Sequence, residues 1–185
     1  MRKIMFIIFL VTSSLAFGQD KELQDWTKNE KSQYLRFFQL ANYVYKKQNA
    51  EISKDTLFDK YIYFDYVLKD TVAKRREPRL SKFDAIFSFL KKRIDSIGVN
   101  NLDAKPIRFY KKHKIYEPFD QNIAKTSISG EKMFINSPDV LVYYRKEDPE
   151  NPLGTLLFEP TTSKLAAWIM IDQGGHKYFL LFNLF

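Results

Sequence analysis

Apolar positions along this chain fall into three textures, and each predicts a different kind of element. Tyr34, Phe37, Phe38, Ala41, Val44 and Tyr45 recur three and four residues apart, which puts them on one face of a helix. Thr27-Lys28-Asn29-Glu30 just ahead reads as a capping box, the Thr hydroxyl and the Glu carboxylate each accepting from an orphan backbone N–H. A first helix is therefore expected to run to about Lys47. A second stripe, Phe83, Ile86, Phe87, Leu90, Ile94 and Ile97, has Ser81 placed as its N-cap and Gly98 as a left-handed stop. Burying those six residues would contribute roughly 9 to 18 kcal/mol before chain entropy is subtracted. Upstream, the basic stretch of residues 74–79 is expected to break the chain, because Pro78 disfavours helix at Glu77. Residues 61–68 (YIYFDYVL) suit a helix and a strand equally well.

After Pro106 the texture changes to short runs rich in branched and aromatic residues: 107–116, 140–145, 155–159, 165–172 and 178–185. Turn-forming segments at 148–152, 160–163 and 173–175 separate the later runs and are short enough to join antiparallel neighbours. Helices first and strands afterwards predict an α+β fold, with N-terminal helices packed on a C-terminal antiparallel meander sheet of four to five strands. This element order is similar to that of the NTF2-like and cystatin-like superfolds. The resemblance implies helices backing a curved sheet, and such folds carry unrelated functions, so no activity comes with it.

The third texture is the unbroken run of residues 4–11 (IMFIIFLV), behind Arg2 and Lys3 and ahead of Ala16-Phe17-Gly18. Positive start, apolar centre and small residues before Gln19 make residues 1–18 a cleavable signal peptide, too short an apolar stretch to anchor in a bilayer. Residues 19–185 are then expected to form one α+β domain that is periplasmic or secreted. Without Arg2 and Lys3 the formal charge falls from +8 to +6, so the exported part stays basic. The chain has no cysteine and only two histidines, His113 and His176. That excludes disulfides, thiol catalysis and thiolate zinc sites, and argues against a histidine-rich metal centre. No cofactor and no metal are expected.

Candidate chemistry concentrates in the last third. Both faces of residues 165–171 and of 178–185 are apolar, so helices can cover one face while the other requires a further cover: a curled sheet, a subunit interface or a hydrophobic ligand. Trp168, Met170, Tyr178, Leu180 and Phe182 are the expected binding residues for a hydrophobic small molecule or a protein partner, with a homodimer as another way to cover the face. Aromatics make up 16% of the chain, so these side chains also suit a core. The leading expectation is thus a non-catalytic exported binding domain.

Two other classes stand beside it. A small hydrolase or isomerase could use Asp172 with His176 across a turn, or Asp65 amid Tyr61, Tyr63, Phe64 and Tyr66, where an apolar surround would raise a carboxyl pKa. An inhibitor or immunity-type protein would need only surface complementarity. Glu147, Asp148, Glu150 and Asn151 lack the alternate-position spacing of a calcium loop. Basic clusters lie at 74–79, at 91–93 and at Lys111, Lys112 and Lys114 beside His113, the last interleaved with Phe109, Tyr110 and Tyr116. Export argues against nucleic acid as a partner and toward anionic membrane headgroups or acidic glycans. A terminal Phe185 resembles the end of an outer-membrane barrel, but too much of the chain has helical spacing for one.

Overall fold

The computed structural model describes residues 25–47, 52–65, 73–116, 122–125, 132–135, 139–173 and 176–182. Residues 1–18, expected to be a signal peptide, lie outside them. Helix α1 (Lys28–Lys46) starts at the expected capping box: Glu30 N–H donates to Thr27 Oγ1 at 3.1 Å, and Thr27 N–H donates to the Glu30 carboxylate at 2.7 Å. A short helix α2 (Lys54–Lys60) follows. Residues 61–64 then form neither helix nor strand. They run beside residue 165, with Tyr63 N–H donating to the Leu165 carbonyl and Leu165 N–H to the Tyr61 carbonyl, both at 2.8 Å. This occupies backbone groups that a sheet edge would otherwise leave open.

Helix α3 (Ala73–Ile97) differs from expectation at its start, because it runs through Pro78 and Ser81 lies inside it. Pro78 is exposed and sits early in the helix, where it removes one intrahelical bond. The stripe downstream, with Phe83, Phe87, Leu90 and Ile94 all buried, supplies the packing that outweighs that loss. The stop is as expected. Gly98 takes φ of 81°, and its N–H donates to the Ile94 carbonyl at 2.9 Å.

The main sheet is antiparallel and four-stranded, in the order β1 (Leu102–Pro106), β4 (Val140–Arg145), β5 (Gly154–Phe158), β6 (Leu165–Ala167). Two separate hairpins accompany it: β2 (Asn122–Lys125) with β3 (Lys132–Ile135), and β7 (Met170–Gln173) with β8 (His176–Phe179). The chain is thus an α+β fold, with three α-helices before a meander sheet among the described residues. Alternation along the strands sorts side chains between two cores. Leu102, Ala104, Leu141, Tyr143, Leu156 and Phe158 face the helices, where Phe37, Leu40, Phe83 and Leu90 meet them. Val140, Val142, Tyr144 and Leu157 point to the opposite face.

That opposite face is covered by the chain itself. Ile107, Tyr110, Phe179 and Leu181 bury against it, with Ile115, Tyr116, Tyr63 and Met170 packed around them. The covering segment explains the main departure from expectation. The strand predicted at 107–116 lies earlier, at 102–106, and ends on Pro106, whose φ of −54° opens a 3-10 turn over Ile107–Tyr110. Ile107 and Tyr110, three apart in that turn, both point at the sheet. The predicted run 165–172 is likewise divided, with β6 in the main sheet and β7 in the hairpin.

Candidate functional site

The 3-10 turn that covers the sheet also builds one wall of a cleft. Its position is set by Arg108, which reaches back to the start of α1. Arg108 Nε donates to Glu30 Oε1 at 2.8 Å, and its Nη2 donates to Glu30 Oε2 at 3.2 Å and to the Asp25 carbonyl at 2.7 Å. Glu30 is 1% exposed, so one carboxylate closes the capping box and pairs with an arginine 78 residues away. Burial pushes the Glu30 carboxyl up; the hydrogen bonds from Arg108 and Thr27 and the guanidinium charge outweigh it, leaving the group below its ordinary value. Asp139, also buried, accepts from Asn29 Nδ2 at 2.9 Å and Gln33 Nε2 at 3.3 Å, so the same end of α1 is held to the start of β4.

The cleft has a volume of about 860 Å³ and is half-open to solvent. Its aromatic part is Trp26, Phe109 and Tyr110. Phe109 is 49% exposed, although Arg108 lies over its ring at 4.4 Å and Trp26 stands 6.4 Å away. Its cationic part is Lys105, Lys111 and Lys112, joined by His113. Lys105 also lies over the Tyr144 ring at 5.4 Å. Asp25, Pro149 and Glu150 line the rest. Tyr110 ties the two walls, its hydroxyl donating to the Pro149 carbonyl at 2.8 Å. Burial, then the charges of Glu150 and Asp103, push its pKa up to about 12, so it stays a neutral donor. Ile115 N–H donates to His113 Nδ1 at 3.0 Å, which leaves Nε2 as the protonated nitrogen of the neutral ring.

The residues expected from the sequence are distributed differently. Trp168 and Met170 line a second recess of about 240 Å³, together with Arg93, Tyr143 and Thr155. Phe182 is fully buried and meets Phe83 edge-on at 5.5 Å, in the helix-facing core. Leu180 is half-buried, its N–H donating to the Ile169 carbonyl at 2.9 Å. The backbones of Asp172, His176 and Tyr178 belong to β7 and β8, Asp172 facing Lys177 and Gln173 facing His176 in register; their side chains lie outside the described residues. Asp65 is 3.9 Å from Lys164. The Glu147–Asn151 segment is a turn whose Pro149 and Glu150 join the cleft wall. Among the described residues no group of three or more acidic or histidine side chains is placed to hold a metal, and no helix is long and apolar enough to cross a membrane.

Of the basic and aromatic cluster at 109–116, Phe109, Tyr110, Lys111, Lys112 and His113 line one cleft while Lys114 and Tyr116 do not, and Trp26, Arg108 and Pro149 were not foreseen. Nothing local marks them: they come together through contacts 39 to 83 residues apart along the chain. No family model, no curated protein and no solved structure matches the chain.

Proposed function

We propose that this protein is exported and acts, in the periplasm or outside the cell, as a non-catalytic domain that binds an anionic, ring-bearing ligand in the cleft between Trp26, Phe109 and Pro149. The observation that carries this reading is the convergence of an exposed aromatic ring and two exposed lysines, Lys111 and Lys112, on one cleft of about 860 Å³. Concave sites with an apolar floor and a few placed polar groups are where small ligands bind. Two groups are engaged within the protein: Tyr110 donates to a backbone carbonyl and His113 Nδ1 accepts from its own loop. The apolar sheet face was the other expected site; among the described residues its buried side chains pack against residues 107–116 and 179–181, which favours the cleft over that face. The recess at Trp168 and Met170 supports that second reading, as a site for a small apolar ligand.

Trp168→Phe leaves Trp26 as the one tryptophan, since the chain has two, and makes it a reporter of the cleft. Titration with anilinonaphthalene sulfonate should quench Trp26 emission by energy transfer, and Lys111→Ala with Lys112→Ala should weaken the effect. Unchanged titration in the lysine variant would remove the cleft as the site. Export has its own check: the N-terminus of the product recovered outside the cytoplasm should read from Gln19, and cytoplasmic protein beginning at Met1 would refute it.

A further inference from the structure

From the composition of the cleft we infer that its ligand is an acidic glycan, a saccharide chain carrying carboxylate or sulfate groups along with free hydroxyls. This rests on the cleft being the binding site. Three features of the cleft select among anions. First, cations and acids share it: Lys105, Lys111 and Lys112 are accompanied by Asp25 and Glu150. A densely charged polyanion such as polyphosphate would be repelled by both carboxylates, whereas sugar hydroxyls donate to them while the acidic groups meet the lysines. Second, Phe109 offers a half-exposed ring inside the concavity. An aromatic face suits the apolar C–H face of a pyranose ring, whereas one half-exposed ring is less than the whole apolar helix face by which a protein lies in a bilayer surface. Third, the cleft is half-open and about 860 Å³, near the top of the range for small-ligand sites. An open-sided groove of that size admits part of a polymer without enclosing it.

Among the described residues Lys111 and Lys112 have no ion-pair partner, so an anion displaces water there and breaks no bridge. Arg108 holds the Phe109 ring in place through Glu30 and Asp25 and acts as a positioning residue.

The test is a calorimetric titration of the purified Trp168→Phe protein, with Trp26 emission read in parallel. Four probes are compared: oligogalacturonate, heparin oligosaccharide, neutral dextran and phosphatidylglycerol vesicles. Binding to oligogalacturonate or heparin but not to dextran is expected. It should weaken roughly tenfold in Lys111→Ala/Lys112→Ala and roughly two- to tenfold in Phe109→Ala. These side chains are exposed or half-exposed, so the variants should keep the wild-type melting temperature. Binding to vesicles alone, with the same lysine dependence, would overturn the glycan inference and keep the cleft. Glycan binding that both variants leave intact would place the glycan elsewhere and overturn both. Silence with all four probes, while anilinonaphthalene sulfonate still binds in a lysine-dependent way, would again overturn the glycan inference alone.

Discussion

Arg108→Ala is the most informative single change, because it strands a carboxylate inside the protein. The pair lies between two known limits: exposed ion pairs are worth about 0 to 1 kcal/mol, and removing one partner of a buried pair costs about 3 to 5 kcal/mol. The Glu30 side chain is 1% exposed and that of Arg108 is 36% exposed, so water screens one partner and not the other. A loss of about 2 to 3 kcal/mol is expected, measured by urea unfolding followed through tryptophan emission. Glu30→Gln keeps an oxygen for the Thr27 N–H and removes the buried charge, so it should cost about 1 kcal/mol. The double variant should be less destabilised than the sum, since neutral glutamine no longer needs the guanidinium. The sign with pH follows from the lowered Glu30 value: its contribution is complete above the ordinary 4.5 and is lost as pH falls through the still lower folded value. Wild type and Arg108→Ala should therefore converge in stability as pH falls below the ordinary 4.5. A loss under about 0.5 kcal/mol for Arg108→Ala, or strict additivity in the double variant, would show that the ion pair does not hold the cleft wall to α1.

Three further outcomes test the fold around the site. Leu90→Ala removes a fully buried side chain of α3 and should cost about 2 to 5 kcal/mol by thermal melting. Gly98→Ala meets no atom closer than 3.6 Å, so its cost is the φ of 81° alone, about 1 to 2 kcal/mol by the same assay. Burial raises the pKa of Tyr34, Tyr110 and Tyr143, helped at Tyr34 by the Asp103 carboxylate that its hydroxyl meets at 3.1 Å. Their contribution is present below the ordinary 10.0 and is lost as pH rises through the raised values, so phenolate absorbance should lag behind that of the unfolded chain and stability should fall above pH 10.0.

What could be read from the residues was local. The capping box at Thr27 and Glu30 and the stripe from Phe83 to Ile97 closed by Gly98 rest on spacings of three and four, which an isolated helix already obeys. The meander was legible for the same reason, since β4 and β5 alternate between two cores. Residues 107–116 were not. Their mixture of branched, aromatic and basic side chains has the composition of a strand, and the choice of a 3-10 turn is made by Pro106 and by the distant partners Glu30 and Pro149. Misreading that segment hid the cleft, because the turn brings Phe109 toward Trp26 and the lysines to the same mouth. Pro78 misled in the opposite direction, as a local rule overridden by the buried stripe of the helix it enters.

The most direct measurement is a two-dimensional amide spectrum of the isotopically labelled protein, recorded during titration with oligogalacturonate. Shifts should concentrate at residues 25–26, 105–113 and 149–150, with saturation, and should vanish in Lys111→Ala/Lys112→Ala. Saturating shifts centred instead on 168–170, with the 105–113 amides unmoved, would contradict the assignment of the cleft as the place where this protein meets its ligand.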